Sequence, residues 1–427
     1  MSKAQEQVAL AAEGLDIAAL ISKSIKGAEK ASALSPVMLR RESFAGTATS
    51  TGSLCIDYKM GGGIPPARIV GIAGPEGTGK SILVTNILNE QGKAQRVGVY
   101  FDAEGSTDPL FLAARGINFE NYRGRRNRAG ELLPKQKDFF HLYQPRTGEE
   151  VMGFMDVLLK ALPENRNPTD ASVIFVIDSV IALISDLLAE DVENGGMAMH
   201  GRMYSKILPV INSLLTRAGA SLIYTNQIRL RPGQAFGNPE YEPGGEALKF
   251  FSSIRLRLKR TQPKLDDDKH PFIEEAYNPQ VKPKAEGVWI EPHYDDDGRI
   301  TGEDRYVYTA VTTEKNKTYT PFQTTWMRIQ FDENGSTGHG LDTVYDVFTF
   351  LYELKYIRYA VKTGDEKASD VKGCFDVVAD EHYDPVKDLG IPKRFTYPEF
   401  KVWVRKQVGL VDKLRERLLV SGIAFRD

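Results

Sequence analysis

The chain has 427 residues, of which 41% are hydrophobic and 26% charged, and a formal net charge of -2. That length exceeds one small core and sets two or three domains as the expectation, while the near-neutral balance excludes a globally polycationic nucleic-acid binder, so any nucleic-acid site must be local. Cys55 and Cys374 are the two cysteines, far apart and without metal-ligand spacing, which excludes a disulfide framework and suits plain thiols in a reducing compartment.

The N-terminus lacks a charged-then-apolar leader pattern and no run of about 18 apolar residues occurs, so a cytoplasmic protein without a membrane span is expected. The histidines at 141, 200, 270, 293, 339 and 382 form no ligand-spaced cluster, and no structural zinc is expected. Residues 1 to about 33 are Ala-rich, with Val8, Ala12, Leu15 and Ala19 on one helical face. A lone amphipathic helix cannot bury its stripe by itself, so residues 1–40 read as an arm that docks either on its own core or on a neighbouring copy. The polar stretch 40–53 reads as a linker.

Residues 61–260 alternate short buried strands with helices, the signature of a mainly parallel sheet covered on both faces. The first strand, over 67–73, carries Ile69, Val70 and Ile72 and runs into Gly74-Pro75-Glu76-Gly77-Thr78-Gly79-Lys80-Ser81. This stretch satisfies G-x-x-x-x-G-K-[ST]: its glycines let backbone N–H groups curl inward around phosphates, Lys80 places a point charge on the outer phosphates, and Ser81 offers a hydroxyl to Mg²⁺. The helix that follows stacks Leu83 over Ile87 and Val84 over Leu88.

A second strand over 96–102 ends in Asp102-Ala103-Glu104, an acidic pair at the edge where open α/β sheets place their ligands. Thr107-Asp108-Pro109 starts a helix that Gly116 ends, and Thr147-Gly148-Glu149-Glu150 is a capping-box pattern before an apolar helix containing Val151, Phe154, Leu158 and Leu162. Residues 173–179 are five apolar residues followed by Asp178 and Ser179, a central strand delivering a carboxylate suited to holding Mg²⁺ through its water shell. Residues 222–228 form a further strand ending in Thr225-Asn226-Gln227, where Gln227 can sense a terminal phosphate and pass its presence to the next loop. That loop, 229–245, is rich in Gly and Pro yet carries Arg229, Arg231 and Phe236, which fits single-strand contact by cations and a stacking aromatic. The loop around 191–200, with Gly195, Gly196 and Met197, can serve the same surface.

Several strings together resemble the RecA-family recombinases of bacteria and bacteriophages, over roughly residues 50–331 with two interruptions. They are Ser50-Thr-Gly-Ser-Leu, the phosphate cradle, Phe101-Asp-Ala-Glu104, Asp108-Pro109, Val176-Ile-Asp178-Ser179, Asn226-Gln227-Ile-Arg229, Phe236-Gly-Asn-Pro-Glu240, Gly244-Gly245-Glu-Ala-Leu-Lys249-Phe250 and Lys315-Asn316-Lys317. The resemblance implies a P-loop α/β core at 41–335, an N-terminal helical arm at 1–40 and a small α+β domain at 336–427. It implies ATP and Mg²⁺ as cofactors, with Gly74 to Ser81, Asp108, Phe111 and Asp178 at the nucleotide and Ser81 and Asp178 at the metal. Glu104 corresponds to the carboxylate that polarises the attacking water, Gln227 to the phosphate sensor, and Lys80 to the cradle lysine. Lys315 and Lys317 resemble a pair reaching the neighbouring subunit's phosphates, and Lys249 and Phe250 resemble interface positions. Met197, Arg202, Arg229, Phe236, Gly244 and Gly245 correspond to DNA-loop positions. The implied partners are single-stranded DNA, a homologous duplex and further copies of the chain in a helical filament, and an arm docked on a neighbour fits that assembly.

The chain also departs from that pattern. Phe111 stands where the family often has Tyr, and Pro209 where it often has a basic residue. Residues 123–138 add Arg123, Arg125, Arg126, Arg128, Lys135 and Lys137, either an extended DNA path or a solvated loop. Residues 262–304 add a second insertion, expected as a β-hairpin with strands near 288–290 and 306–310. Ile254, Leu256 and Leu258 alternate with Arg255, Arg257 and Lys259, which reads as a strand at a solvated edge. Near the end, Lys401, Arg405, Lys406, Lys413, Arg415 and Arg417 accompany Tyr397, Phe400 and Trp403, and with Phe425-Arg426-Asp427 as the last residues read, the acidic tail common in bacterial members is not expected. The function expected from all this is an ATP- and DNA-dependent recombinase. Alternatives are a helicase motor on the same core, a P-loop small-molecule kinase and a non-hydrolysing DNA-binding scaffold.

Overall fold

In the computed structural model of the chain the described residues are 48–94, 96–108, 112, 117, 140–162, 173–183, 196–230, 240–260, 282–283, 288–295, 297–331, 340–360 and 374–420. The expected arm at 1–40, the basic insertion at 123–138, the loop tip at 231–239 and Asp266 to Asp268 lie outside them. Helix α1 (Leu54–Met60) is followed by β1 (Ile69–Gly74), α2 (Lys80–Lys93), β2 (Val97–Asp102) and β3 (Phe140–Tyr143). Then come α3 (Gly148–Ala161), β4 (Val173–Asp178), α4 (Gly196–Ala218), β5 (Ser221–Gln227), β6 (Arg229–Leu230), β7 (Glu240–Tyr241) and α5 (Glu246–Phe251).

Strands β3, β2, β4, β5 and β1 lie side by side and parallel, and β8 (Ile254–Arg260) continues the parallel run beyond β1. Alternation in β4 explains its central place: Ile174 and Val176 join the apolar layer under α2, with Leu83, Val84, Ile87 and Leu88, while Val173, Phe175 and Ile177 join the opposite layer under α3 and α4. All six residues of β4 are buried. Helix α3 opens where the sequence places it, with Thr147 Oγ1 accepting from the Glu150 N–H; Glu150 returns its carboxylate to the N–H of Arg146 rather than to that of Thr147. Its buried stripe is Val151, Met152, Met155 and Leu159, with Phe154 and Leu158 at its margin.

Beyond β8 the sheet turns antiparallel. Strands β9 (Lys282–Pro283), β10 (Trp289–Tyr294), β11 (Ile300–Asn316), β12 (Thr324–Phe331) and β13 (Gly340–Leu341) complete it, with β11 pairing to β8, β10 and β12. The hairpin expected inside 262–304 is therefore β10 and β11, turned at Asp295, whose Oδ1 accepts from the N–H groups of Asp297 and Arg299. One expectation is corrected: β8 is an interior strand, flanked by β1 and β11, so its basic alternation does not mark a solvated edge.

The C-terminal elements are α6 (Thr343–Glu353), β14 (Ile357–Tyr359), β15 (Cys374–Val377), α7 (Pro385–Leu389), β16 (Arg394–Thr396), α8 (Tyr397–Arg405) and α9 (Leu410–Leu414), with β14, β15 and β16 forming a small antiparallel sheet. Their aromatics, Tyr345, Phe348, Phe375, Tyr397 and Phe400, share one core with Trp289, Tyr306, Tyr308 and Trp326 from β10, β11 and β12. Inside it, Arg328 bonds Asp342 and Glu291, with its guanidinium 4.2 Å from the Tyr306 ring centroid, and Lys401 pairs with Glu291 at 2.7 Å and Asp304 at 3.2 Å. Burial alone would raise the Asp342 carboxyl; Arg328 chiefly overcomes it and holds Asp342 below the usual carboxylate range.

Candidate active site

The cradle leaves the buried end of β1 and folds over the start of α2. Lys80 Nζ donates to the Gly74 and Pro75 carbonyls at 2.9 and 2.8 Å, and the Thr78 hydroxyl donates to Pro75 at 2.8 Å. Two glycines are required here: Gly79 by its left-handed φ of +87°, and Gly74 by close approach, since a Cβ there would lie 2.6 Å from the Leu258 carbonyl oxygen. By contrast a Cβ at Gly77 would meet nothing nearer than Arg260 Nη1 at 3.9 Å, so the crest of the loop is open. Gly79 supplies no side-chain cap to α2, which leaves first-turn N–H groups to face an anion. Burial lowers the Lys80 ammonium from its ordinary value, while Asp178, Glu104 and Glu76 pull it back up.

The acids sit on the neighbouring strand ends. Asp102 and Asp178 are register partners across β2 and β4. Asp178 is buried; its Oδ1 accepts from the Thr225 hydroxyl at 2.5 Å and its Oδ2 from the Tyr100 hydroxyl at 2.8 Å. Burial, then the Asp178 charge, pushes the Tyr100 phenol well above its ordinary value, so it remains a proton donor at neutral pH. Glu104 is exposed two residues past β2, and its Oε1 accepts from the Ser179 hydroxyl at 2.7 Å. Asp102, by contrast, turns inward and accepts from the N–H groups of Ser106 and Thr107 at 3.3 and 3.0 Å, shaping the turn after Glu104. The residues present fit a nucleoside triphosphate with Mg²⁺: open loop donors and Lys80 for phosphates, the Ser81 hydroxyl and Asp178 for the metal, Glu104 for a water.

Gln227 ends β5 beside Gly74, its register partner. One residue later β6 and β7 form a two-stranded ribbon, Arg229 opposite Tyr241, so Gln227 leads directly into the long loop. Arg229 is exposed; Phe236 lies outside the described residues. The loop returns through Pro243, whose carbonyl accepts from the Asn226 amide at 2.8 Å, and through Gly244 and Gly245, with φ of +97° and +82°. Met197 and Arg202 fall in the first two turns of α4. Asp108 is exposed and its carbonyl accepts from the Leu112 N–H at 3.2 Å, while Phe111 lies outside the described residues.

A separate group forms at the end of α5. Phe250 is 71% exposed, which sets aside a core role for it, and Lys249 pairs with Glu246 at 2.8 Å. Lys315 Nζ donates to the Lys249 and Phe250 carbonyls at 2.7 and 3.1 Å, and Lys317 is exposed two residues on. Burial, then the positive charges of Lys317 and Arg255, lowers Lys315 from its ordinary value.

Sequence reasoning missed Tyr100, Thr225 and Ser179 as partners of the site acids. Hydroxyls inside apolar strands give no signal until register places them beside a carboxylate. It also missed what covers β8: Arg255 pairs with Glu242 and Glu314, and Arg257 with Glu240 and Glu314. The basic residues near the C-terminus are dispersed rather than one patch. Lys401 is buried in ion pairs, Arg405 faces Asp304, and Arg415 lies between Glu90, Asp57 and Asp412.

Residues 19–284 match the family model described as the RecA N-terminal domain. A curated relative from Trichodesmium erythraeum, Protein RecA, is 34% identical over 214 residues, covering 50% of this chain and 52% of the relative. Protein RecA from Mycoplasma mobile is 36% identical over 213 residues, covering 49% of this chain and 56% of that one. The chain thus spans about half the length of the curated relatives it matches. Among solved structures, the RadB recombinase is 18% identical with a TM-score of 0.39, covering 66% of this chain and 96% of that one. Lys315, Lys317 and the C-terminal elements lie beyond the residues that the family model matches.

Proposed function

Because this chain belongs to the RecA family, we propose that it binds ATP and Mg²⁺ at the cradle, assembles as a filament on single-stranded DNA and exchanges strands with a homologous duplex, hydrolysing ATP as it does so. The observation that carries this reading is the shared sheet edge. Gly74, Asp178 and Gln227 end three adjacent parallel strands, Glu104 follows a fourth, and Gln227 opens directly into the ribbon at 229–241. A change felt at Gln227 therefore reaches the loop carrying Arg229 and Phe236 with one residue intervening.

In this mechanism the loop N–H groups and Lys80 bind and orient the phosphates, Lys80 exchanging its bonds to the Gly74 and Pro75 carbonyls for phosphate oxygens. Ser81 and Asp178 would hold Mg²⁺, which when bound would supply charge neutralisation for the phosphates. Glu104 orients the attacking water and draws its proton, with the Ser179 hydroxyl holding the carboxylate in place until then. Asp108 and Phe111 would contact the base. Met197, Arg202, Arg229, Phe236, Gly244 and Gly245 would meet DNA, and Lys249, Phe250, Lys315 and Lys317 would face the next subunit. The reading divides the chain into an arm at 1–40, an ATPase core at 41–335 and a C-terminal domain at 336–427, working in the cytoplasm; no described helix is long and apolar enough to cross a membrane.

ATP hydrolysis measured with and without single-stranded DNA tests it, using wild type, Lys80→Ala and Glu104→Gln. DNA should raise the wild-type rate, and Lys80→Ala should abolish it. Glu104→Gln should bind ATP and DNA yet lose about 10²- to 10⁴-fold in turnover. Equal wild-type rates with and without DNA would overturn the recombinase reading.

A further inference from the structure

Asp178 is buried at the end of β4, and its two oxygens are each taken by a neutral hydroxyl: Thr225 on Oδ1 at 2.5 Å and Tyr100 on Oδ2 at 2.8 Å. The two donors come from the two strands that flank β4 in the sheet, Tyr100 from β2 and Thr225 from β5. Parallel register puts Thr225 level with Asp178, since its chain neighbour Tyr224 pairs with Ile177, while Tyr100 pairs with Val176 two residues earlier and reaches the carboxylate with the end of its long side chain. We propose that Tyr100 and Thr225 are positioning residues that clamp the Asp178 carboxylate in one orientation for a hydrated divalent cation. The inference rests on the reading of this edge as a Mg²⁺-nucleotide site and adds to it the two groups that set its metal affinity.

Three features favour a metal-directed clamp over simple satisfaction of buried hydroxyls. A carboxylate offers about four lone-pair sites, so one donor on each oxygen leaves one site per oxygen for metal-bound water. The donors are neutral, so the carboxylate is held without an ion pair that would compete with a cation for its charge. The clamp is two-sided, one donor from each flanking strand, which fixes rotation of the carboxylate about its Cβ–Cγ bond; a single partner would satisfy a hydroxyl without doing so.

The test uses the full chain with Tyr100→Phe, Thr225→Val and the double variant, each removing a hydroxyl at nearly constant shape, and Asp178→Asn as reference. Mn²⁺ binding in the presence of ADP, followed by the spectrum of free Mn²⁺, is compared with ADP affinity in chelator. The double variant should bind Mn²⁺ about 10- to 100-fold more weakly, with each single variant between it and wild type. ADP affinity in chelator should not change, and excess Mg²⁺ should restore kcat. Unchanged Mn²⁺ affinity in the double variant overturns the clamp, as does an equal loss of ADP affinity in chelator, which marks a structural role only. A wild type whose ADP binding ignores Mn²⁺ fails differently: it removes the metal site itself, and the clamp with it.

Discussion

The Asp346 carboxylate accepts from the Ser53 hydroxyl at 2.5 Å and from the Leu54 and Cys55 N–H groups at 2.6 and 3.4 Å, so it receives the first turn of α1. Asp57, also buried, accepts from the Ser50 and Thr51 hydroxyls and the Thr51 N–H. Ser50-Thr-Gly-Ser-Leu is thus legible in the sequence as a family string, but its physical task is not, because Ser53 and Asp346 are 293 residues apart. Burial pushes the Asp346 carboxyl up to about 6, against the pull of its three donors. Because the folded value is raised, the folded chain holds a proton that the unfolded chain releases near 3.8, and the stability so gained is complete below that pH and lost as pH rises through about 6. Asp346→Asn removes that titration. Whatever its constant offset, the variant should gain on wild type as pH rises from 4 to 7, read as unfolding free energy from urea titrations; a difference that stays flat across that range would contradict the raised value.

Strand β4 was legible almost residue for residue, because a strand buried on both faces reads as a near-continuous apolar run, and such runs have few other uses in a globular chain; β5 was legible in the same place from Leu222 and Ile223, although it ends in the polar Thr225, Asn226 and Gln227. Strand β8 was legible as a strand and misplaced in the sheet. Its alternating arginines look like a solvated face until Glu240, Glu242 and Glu314 arrive from β7, the following turn and β11. The same blindness hid Lys401, a charged residue in a helix that reads as basic surface, which is 2% exposed and bridges Glu291 and Asp304 across the β10–β11 hairpin. Charged partners from distant elements carry no periodicity, so sequence pattern defaults to solvent. Lys401→Met keeps the packing of α8 but leaves two buried carboxylates short of a cation, and should cost about 3–5 kcal/mol in unfolding free energy. Lys406→Met, at the exposed residue that caps the C-terminus of α8, should change stability by less than about 0.5 kcal/mol. Equal effects in denaturant melts would show that the buried pairing contributes nothing specific.

For the whole molecule, the cradle and the group at α5 meet different demands. The cradle's lysine is tied to its own loop, while Lys315 is tied to the C-terminal carbonyls of α5, beside the exposed Phe250 and Lys317. Held there, Lys315 stiffens a surface rather than the nucleotide site, and in the proposed filament that surface faces the next subunit's phosphates. In that proposed filament a head-to-tail contact would repeat without closing, and each active site would take its halves from two chains. The arrangement predicts complementation. Lys80→Ala lacks a working cradle but keeps both interface lysines; the double variant Lys315→Ala, Lys317→Ala keeps the cradle and lacks them. Each alone should hydrolyse ATP at a small fraction of the wild-type rate, since a cation supplied in trans is worth about 10³- to 10⁵-fold. Mixed in equal amounts and assembled at random on single-stranded DNA, half the sites have a sound cradle and half of those a sound neighbour, so about a quarter of wild-type activity should return. Activity no higher than the average of the two separate variants would place both halves of the site within one chain, and Lys315 and Lys317 would then serve only the fold of their own subunit.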